Sequence, residues 1–166
     1  MLKKIVLLTF LCLPLGMKAQ EVKIAHVNTL EVFNAMPETS AAETELANLG
    51  QSLRTELQRM EEEYNRMYTE FMQQQDSLPQ SIKIKRMQEI EDKKNRTETF
   101  YQQAEQEIAK KKEELNAPIA QKIQNAIKAV GEEQGYTYML EARVFAYTSP
   151  KAIDATPFVK AKLGIK

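Results

Sequence analysis

Residues 46–115, LANLGQSLRTELQRMEEEYNRMYTEFMQQQDSLPQSIKIKRMQEIEDKKNRTETFYQQAEQEIAKKKEEL, decide the fold. Leu46, Leu49, Leu53, Leu57, Met60, Tyr64, Met67 and Phe71 follow one another at intervals of 3, 4, 4, 3, 4, 3 and 4 residues. Apolar residues so spaced line one side of an α-helix, and alternating threes and fours make the seam of a coiled coil. The extra four around Leu53 to Leu57 is a stutter. The pattern fades at Gln73-Gln74-Gln75. Asp76-Ser77-Leu78-Pro79-Gln80 then reads as a turn, with Ser77 capping the next helix and Pro79 in its first turn, where a missing N–H costs little. A second seam runs back through Met87, Ile90, Lys94, Thr97, Tyr101, Ala104, Ile108, Lys111 and Leu115. Lys94, Thr97, Ala104 and Lys111 are weak seam residues, so the pair should be a thin hairpin rather than a solid bundle. An arm of about 35 residues is roughly 50 Å long at ~1.5 Å per residue. It must project from any body the remaining residues can build.

A turn near residue 79 sets the register. Phe71 then faces Met87, Leu57 faces Tyr101, Leu53 faces Ala104 and Leu49 faces Ile108. Glu61-Glu62-Glu63 falls opposite Asn95-Arg96-Thr97. The stretch 54–76 holds three basic and six acidic residues, whereas 83–96 holds six basic and three acidic. That complementarity favours the antiparallel pairing.

The flanks are different in kind. Val22, Ile24 and His26 alternate with Lys23, Ala25 and Val27, as in a short strand with one face more apolar than the other. Asn28 caps a short helix carrying Leu30, Val32 and Phe33, with Glu31 completing a capping box. Met36-Pro37 stops it, and Thr39 or Ser40 opens the first long helix. At the far end Pro118 predicts a kink in the return helix. Ile119, Ile123, Ala126, Ile127 and Val130 then form a core-facing stripe, and Gly135 closes the helix. Tyr136, Tyr138 and Leu140 alternate as a strand. Val144 to Tyr147 reads as another, reached through a tight connection at Glu141-Ala142-Arg143. Ser149-Pro150 breaks the pattern, and Thr156-Pro157 starts a last helix, Phe158 to Leu163, ended by Gly164.

The division expected is a signal peptide at 1–19 and a first strand and short helix at 20–39. A hairpin arm follows at 40–118, with its turn near 76–81. The end of the return helix, two strands and a final helix fill 119–166. The fold class is α+β and mostly helical: a long antiparallel coiled-coil hairpin on a small β body. Three short strands leave exposed edges and little core. Joining several copies into one barrel would remove those edges, which predicts an oligomer of a number the spacing leaves open.

The N-terminus reads as a processing signal. Lys3 and Lys4 precede an apolar stretch from Ile5 to Gly16, and Met17-Lys18-Ala19-Gln20 supplies a cut expected after Ala19. The stretch is too short for a membrane span. Cys12 follows the large Leu11, where lipid attachment favours a small residue, so lipidation is not expected. The signal has a bacterial look and points to the periplasm, with a soluble mature chain. That chain has no cysteine and must hold together by burial alone. Lys3, Lys4 and Lys18 leave with the signal, so 23 basic residues become 20 against 23 acidic, a net charge near −3. Nucleic acid is then a poor partner, because phosphate binding needs a basic excess.

No enzyme chemistry is legible. His26 is the only histidine, and a lone histidine in a strand is read as packed and hydrogen-bonded. With no second His and no mature Cys, a zinc site lacks ligands. The five glycines do not cluster into a phosphate loop. Acidic residues follow helical surface spacing rather than a paired cleft. Asn95-Arg96-Thr97 matches a glycosylation sequon by chance. No cofactor is expected.

The opening IAHVNTLEVFNAMPE, the hairpin, and the closing GYTYMLEARVFAY followed by DATPFVKAKLGI together resemble the Skp (OmpH-like) family of periplasmic chaperones, over nearly the whole mature chain. The end blocks are the more specific part of the match. The resemblance implies a homotrimer with a small intersubunit β-barrel. Three helical tentacles hang from it and enclose unfolded outer-membrane β-barrel proteins, without ATP or cofactor. One departure stands out: the best-known members are strongly basic, whereas this mature chain is slightly acidic.

Holding an unfolded chain needs many adaptable apolar contacts and no deep pocket, and Met side chains repack easily. Tyr68, Met72 and Phe100, off the predicted seam, are the candidate client contacts. Lys83, Lys85 and Arg86 form a basic cluster at the tip, a candidate for peripheral contact with an anionic membrane surface or an acidic client segment. The competing reading of such a charge run is a solvated helix face. The competing reading of the whole chain is a structural or adaptor hairpin docking to a cell-envelope partner.

Overall fold

The computed structural model describes residues 22–165. The signal expected at 1–19 lies outside the described residues. β1 (Ile24–Val27) leads into α1 (Thr29–Ala35) and α2 (Pro37–Gln74). One turn of 3₁₀ helix (Gln75–Ser77) joins α2 to α3 (Gln80–Gln134). β2 (Tyr138–Glu141), a second 3₁₀ turn (Ala142–Val144), β3 (Ile153–Asp154) and α4 (Thr156–Lys162) complete the chain. The architecture is the expected one, a mostly helical α+β chain with a long hairpin on a small strand body.

The strands form one sheet in the order β2-β1-β3, with both pairings parallel. Ile24 pairs with Tyr138 and His26 with Leu140 on one side, and His26 with Asp154 on the other. This corrects the strand expected at Val144 to Tyr147. The Glu141 carboxylate accepts from the Arg143 N–H at 3.5 Å, turning the chain into a 3₁₀ turn rather than a hairpin. β3 lies further on, at two residues with no alternation to betray them. It is held by the Ala155 N–H, which donates to the His26 carbonyl at 2.7 Å, and by the His26 ring, whose Nδ1 lies 2.9 Å from the Ile153 carbonyl.

One sheet face builds the core. Ala25 and Val27 are buried, and Val27 joins Val32, Met36, Ala42, Ile119, Ile123, Ala126, Val130 and Val159 in one apolar cluster. The stripe predicted after Pro118 is therefore the floor of the body. Complete burial of a side chain such as Val32 contributes about 1.5–3 kcal/mol. α3 continues through Pro118 as one helix. Burial changes there: no residue of 43–118 is fully buried, whereas Ile119 and Ile123 are.

Three local expectations are revised. Asn28 caps α1, its Oδ1 accepting from the Glu31 N–H at 3.1 Å. The box is not closed, because the Asn28 N–H donates to Thr156 Oγ1 at 3.0 Å and Glu31 is drawn to Lys160 at 2.7 Å. α2 begins at Pro37, not at Thr39 or Ser40. Proline fits the first helical position, where its fixed φ is already helical. Thr39 is buried, and its hydroxyl donates to the Phe33 carbonyl at 2.6 Å. At the tip, Ser77 donates to the Gln74 carbonyl at 2.8 Å and closes α2 rather than capping α3, whose N-cap position is Pro79. Gly135 ends α3 in the left-handed region at φ +67°, and the Tyr136 N–H reaches back to the Gly131 carbonyl at 2.9 Å.

β2 is clamped to the head of α1. The Glu141 carboxylate accepts from the Thr29 hydroxyl and, at 3.3 Å, from the Thr29 N–H. Burial pushes the Glu141 carboxyl up, but the hydrogen bonds from Thr29 and Arg143 outweigh it and hold it below its ordinary value.

Candidate functional site

The arm is two helices sharing a half-buried seam. All eight predicted α2 seam residues, Leu46 to Phe71, are partly covered. On α3 the phase is corrected by one position in two places. Lys93 and Phe100 are half-buried, while Lys94 and Tyr101, expected on the seam, are exposed, Tyr101 by 50%. Met87 is exposed as well, by 58%. The observed α3 seam runs Ile90, Lys93, Thr97, Phe100, Ala104, Ile108, Lys111 and Leu115. Its double four-residue step at Phe100, Ala104 and Ile108 faces the double step at Leu49, Leu53 and Leu57. Two stutters at one level keep both stripes turned toward each other, since each drifts by the same angle.

Ion pairs rung the hairpin. Lys93 meets Glu63, Lys111 lies 2.6 Å from Glu45, and Lys122 lies 2.6 Å from Glu38. A hydrogen bond from Lys93 lowers the Glu63 carboxyl from its ordinary value. The hydrogen bond to Glu45 raises Lys111. Exposed pairs of this kind add little to stability, because water and salt screen them. Their larger effect is to let lysine stems cover the seam while the charged heads reach out. The Glu61-Glu62-Glu63 run meets α3 through Lys93, three positions before the Arg96 expected opposite it.

The two flanks of the hairpin differ. One flank is lined by Glu45, Asn48, Ser52, Glu107, Lys110 and Glu114 toward the body. Asp92, Arg96, Thr99 and Gln103 continue it further out. The opposite flank brings Glu61 of α2 beside Glu98 and Tyr101 of α3. Tyr68 and Met72 follow Glu61 by two and three helical turns. Met87 precedes Tyr101 by about four turns, so all three lie on that same flank. Ile84 sits one turn before Met87. The outer arm thus carries an exposed stripe of Tyr68, Met72, Ile84, Met87 and Tyr101 on one flank, with Ile82 exposed on the other and with Tyr64 and Tyr68 stacked at 6.2 Å. Of the three candidates from sequence, Tyr68 and Met72 lie in this stripe. Phe100 does not: it is half-buried in the seam beside Met60 and Arg96. Ile84, Met87 and Tyr101 were missed: Tyr101 through the one-residue phase error, Met87 because its spacing from Ile90 extends the seam beyond where the helices cover it, and Ile84 because it lies off the predicted seam. In the tip cluster Lys83 is half-buried. Lys85 and Arg86 are exposed and share Glu89, at 4.0 and 3.5 Å.

The body has a second exposed apolar surface. The sheet face opposite the core presents Ile24, Tyr138 and Leu140, with Tyr138 exposed by 59%. Phe145 and Tyr147 of the following loop border it, along a groove with His26 and Ile153. Val144 and Tyr147 are exposed by 72% and 79%. A contiguous apolar face on a small body marks an interaction surface. Among the described residues there is no cluster of three His, Cys, Asp or Glu residues able to hold a metal, and no helix long and apolar enough to cross a membrane.

Long paired helices with an exposed apolar flank, on a small strand hub, define a class of tentacle-bearing proteins. The comparisons make the class particular. The family model for the outer membrane protein (OmpH-like) family matches residues 23–163, and the chain belongs to that family. It is 30% identical to the chaperone protein Skp of Escherichia coli K12, over 93% of this chain and 95% of that one. It is 29% identical to the chaperone protein Skp of Photorhabdus luminescens, over 84% and 86%. An OmpH-like protein of Caulobacter crescentus superposes with a TM-score of 0.74 at 15% identity, covering 84% of this chain and 82% of that one, a likeness of fold. The family's members are non-enzymatic chaperones, in keeping with the reading of this chain as no enzyme.

Proposed function

We propose that this chain is an ATP-independent holdase of the periplasm that binds unfolded outer-membrane β-barrel proteins and keeps them from aggregating on the way to the outer membrane. The observation that carries the reading is the exposed stripe of Tyr68, Met72, Ile84, Met87 and Tyr101 on one flank. It offers shallow, mobile apolar contacts along an arm and no deep pocket. An unfolded barrel strand exposes an apolar residue at every second position, and it aggregates by edge pairing unless those residues are covered. The bare sheet face supports the second element, a homotrimer whose pooled strands close a shared barrel and hang three arms around the client.

The assignment is tested on one sample by measuring the mass in solution and the light scattering of a urea-unfolded outer-membrane barrel protein diluted with the chain, without nucleotide. A monomer that protects nothing would falsify it. Tyr68→Ser, Met72→Ser and Met87→Ser together should leave the helical circular dichroism intact. Each removes part of a burial contribution of about 1.5–3 kcal/mol, so client affinity should fall at least tenfold. Phe100→Ser should instead loosen the arm. Full protection by the triple variant would remove the stripe from the mechanism.

The tip cluster Lys83, Lys85 and Arg86 makes peripheral contact with anionic membrane surfaces in this reading. Each basic group near such a surface contributes about 1 kcal/mol at most, screened by salt, and Glu89 offsets part of it. Replacing all three by Gln should abolish co-sedimentation with anionic vesicles at low salt. Equal sedimentation of the variant and the unaltered chain would assign the cluster to a solvated helix face.

A further inference from the structure

The bare sheet face carries two ionisable side chains among its apolar ones, the His26 ring on its middle strand and Asp154 in register beside it. His26 lies on β1, the middle strand, and alternates with Ala25 and Val27, which are buried in the core. Its ring therefore stands on the same face as Ile24, the face the core leaves open. The Nδ1 atom lies 2.9 Å from the Ile153 carbonyl, which can only accept, so Nδ1 carries the proton and donates it. Nε2 is left as the free acceptor of the neutral ring.

The groups that face the ring come from each neighbouring element. β2 presents Leu140 in register and Tyr138 two residues before it. β3 presents Asp154, whose Oδ1 already accepts the Thr156 N–H at 2.9 Å. The loop after β2 presents Phe145 and Tyr147 along the shared groove. Glu141 pairs with Val27 instead, and is held by Thr29 and Arg143. The helices pack behind the opposite face.

We propose that His26 is a proton-operated lock on self-association, closed when its ring is neutral and opened when the ring is charged. The inference rests on the reading that this face joins copies of the chain. In the separate chain the ring is half-buried and open to water on the bare face. Assembly would remove that water and surround the ring with Ile24, Leu140, Phe145 and Tyr147, and burial disfavours the charged form. Asp154 is the counter-charge that could offset this, but one of its oxygens is engaged at the head of α4. The sign follows: proton uptake is easier apart than together, so association is complete at high pH and is lost as pH falls.

The test is sedimentation velocity over a concentration series at pH 7.5 and 5.5, with circular dichroism at both to show the helices intact. The unaltered chain should dissociate at pH 5.5 at concentrations where it is assembled at pH 7.5, the association weakening by roughly tenfold per subunit. His26→Gln keeps a donor for the Ile153 carbonyl without a titratable ring, and should stay assembled at both pH values. His26→Leu should do the same. Assembly that is insensitive to pH, tightens in acid, or weakens equally in the Gln variant overturns the lock while leaving the assembled reading in place. A monomer at both pH values overturns both.

Discussion

A chain carrying Leu140→Asp is expected to sediment as a single copy at concentrations where the unaltered chain is assembled, with its arm still helical by circular dichroism. Leu140 sits on β2 with its side chain on the open face, away from the core. In the separate chain a carboxylate there stays hydrated and costs little. In an assembly that covers the face it would be a buried charge, with only the His26 ring beside it, and its desolvation penalty is several kcal/mol per copy. Paid by every subunit, that exceeds what the small apolar face can return. Assembly unaltered by Leu140→Asp would place the contact between copies elsewhere and leave Tyr138 and Ile24 without their assigned role.

Ile123→Ala should be the most damaging single truncation within one chain. Ile123 is buried at the base of α3, in the cluster that joins Val27, Val32, Val130 and Val159. Such a change costs about 2–5 kcal/mol through lost transfer energy and the cavity left behind. Domains of this size have about 5–15 kcal/mol in total. The urea midpoint read from tertiary signals of the body should fall steeply. Ile90→Ala, on the half-buried arm seam, should cost less than half as much, because water already reaches its surroundings. Equal costs at the two positions would mean that the body and arm share one continuous core, contrary to the burial change at Pro118.

How far the chain could be read without coordinates differs by element. The α2 seam was legible because eight apolar residues leave one phase. The α3 seam was not, because after Ile90 a step of three reaches Lys93 and a step of four reaches Lys94, and spacing alone cannot choose. The choice is made across the hairpin, by Glu63 pairing with Lys93 and by the facing stutter. The error carried Tyr101 into the seam and Phe100 out of it, and so hid Tyr101 from the exposed stripe. Strand number was right, but the third strand was misplaced. Val144 to Tyr147 is apolar for the surface it borders, and alternation cannot tell an exposed apolar loop from a strand. Ile153–Asp154 is a strand only because β1 offers it an edge. Parallel pairing was likewise invisible, since it depends on elements far apart in the chain. Tyr68 and Met72 were found because they lie one residue beyond seam positions whose phase was secure.

The sheet has a consequence for the order of events in biogenesis. β1 comes from the beginning of the described chain and both of its partners from the end, so that the Thr137 N–H closes on the Lys23 carbonyl at 2.8 Å. Made residue by residue, the chain can zip its hairpin as soon as the tip and return helix are complete. The hub must wait for the last twenty residues. Zipping acts as a splint, bringing Met36 beside Ile119 and turning closure over more than a hundred residues into closure over a few. The open face of the sheet is therefore the last surface of the molecule to be finished.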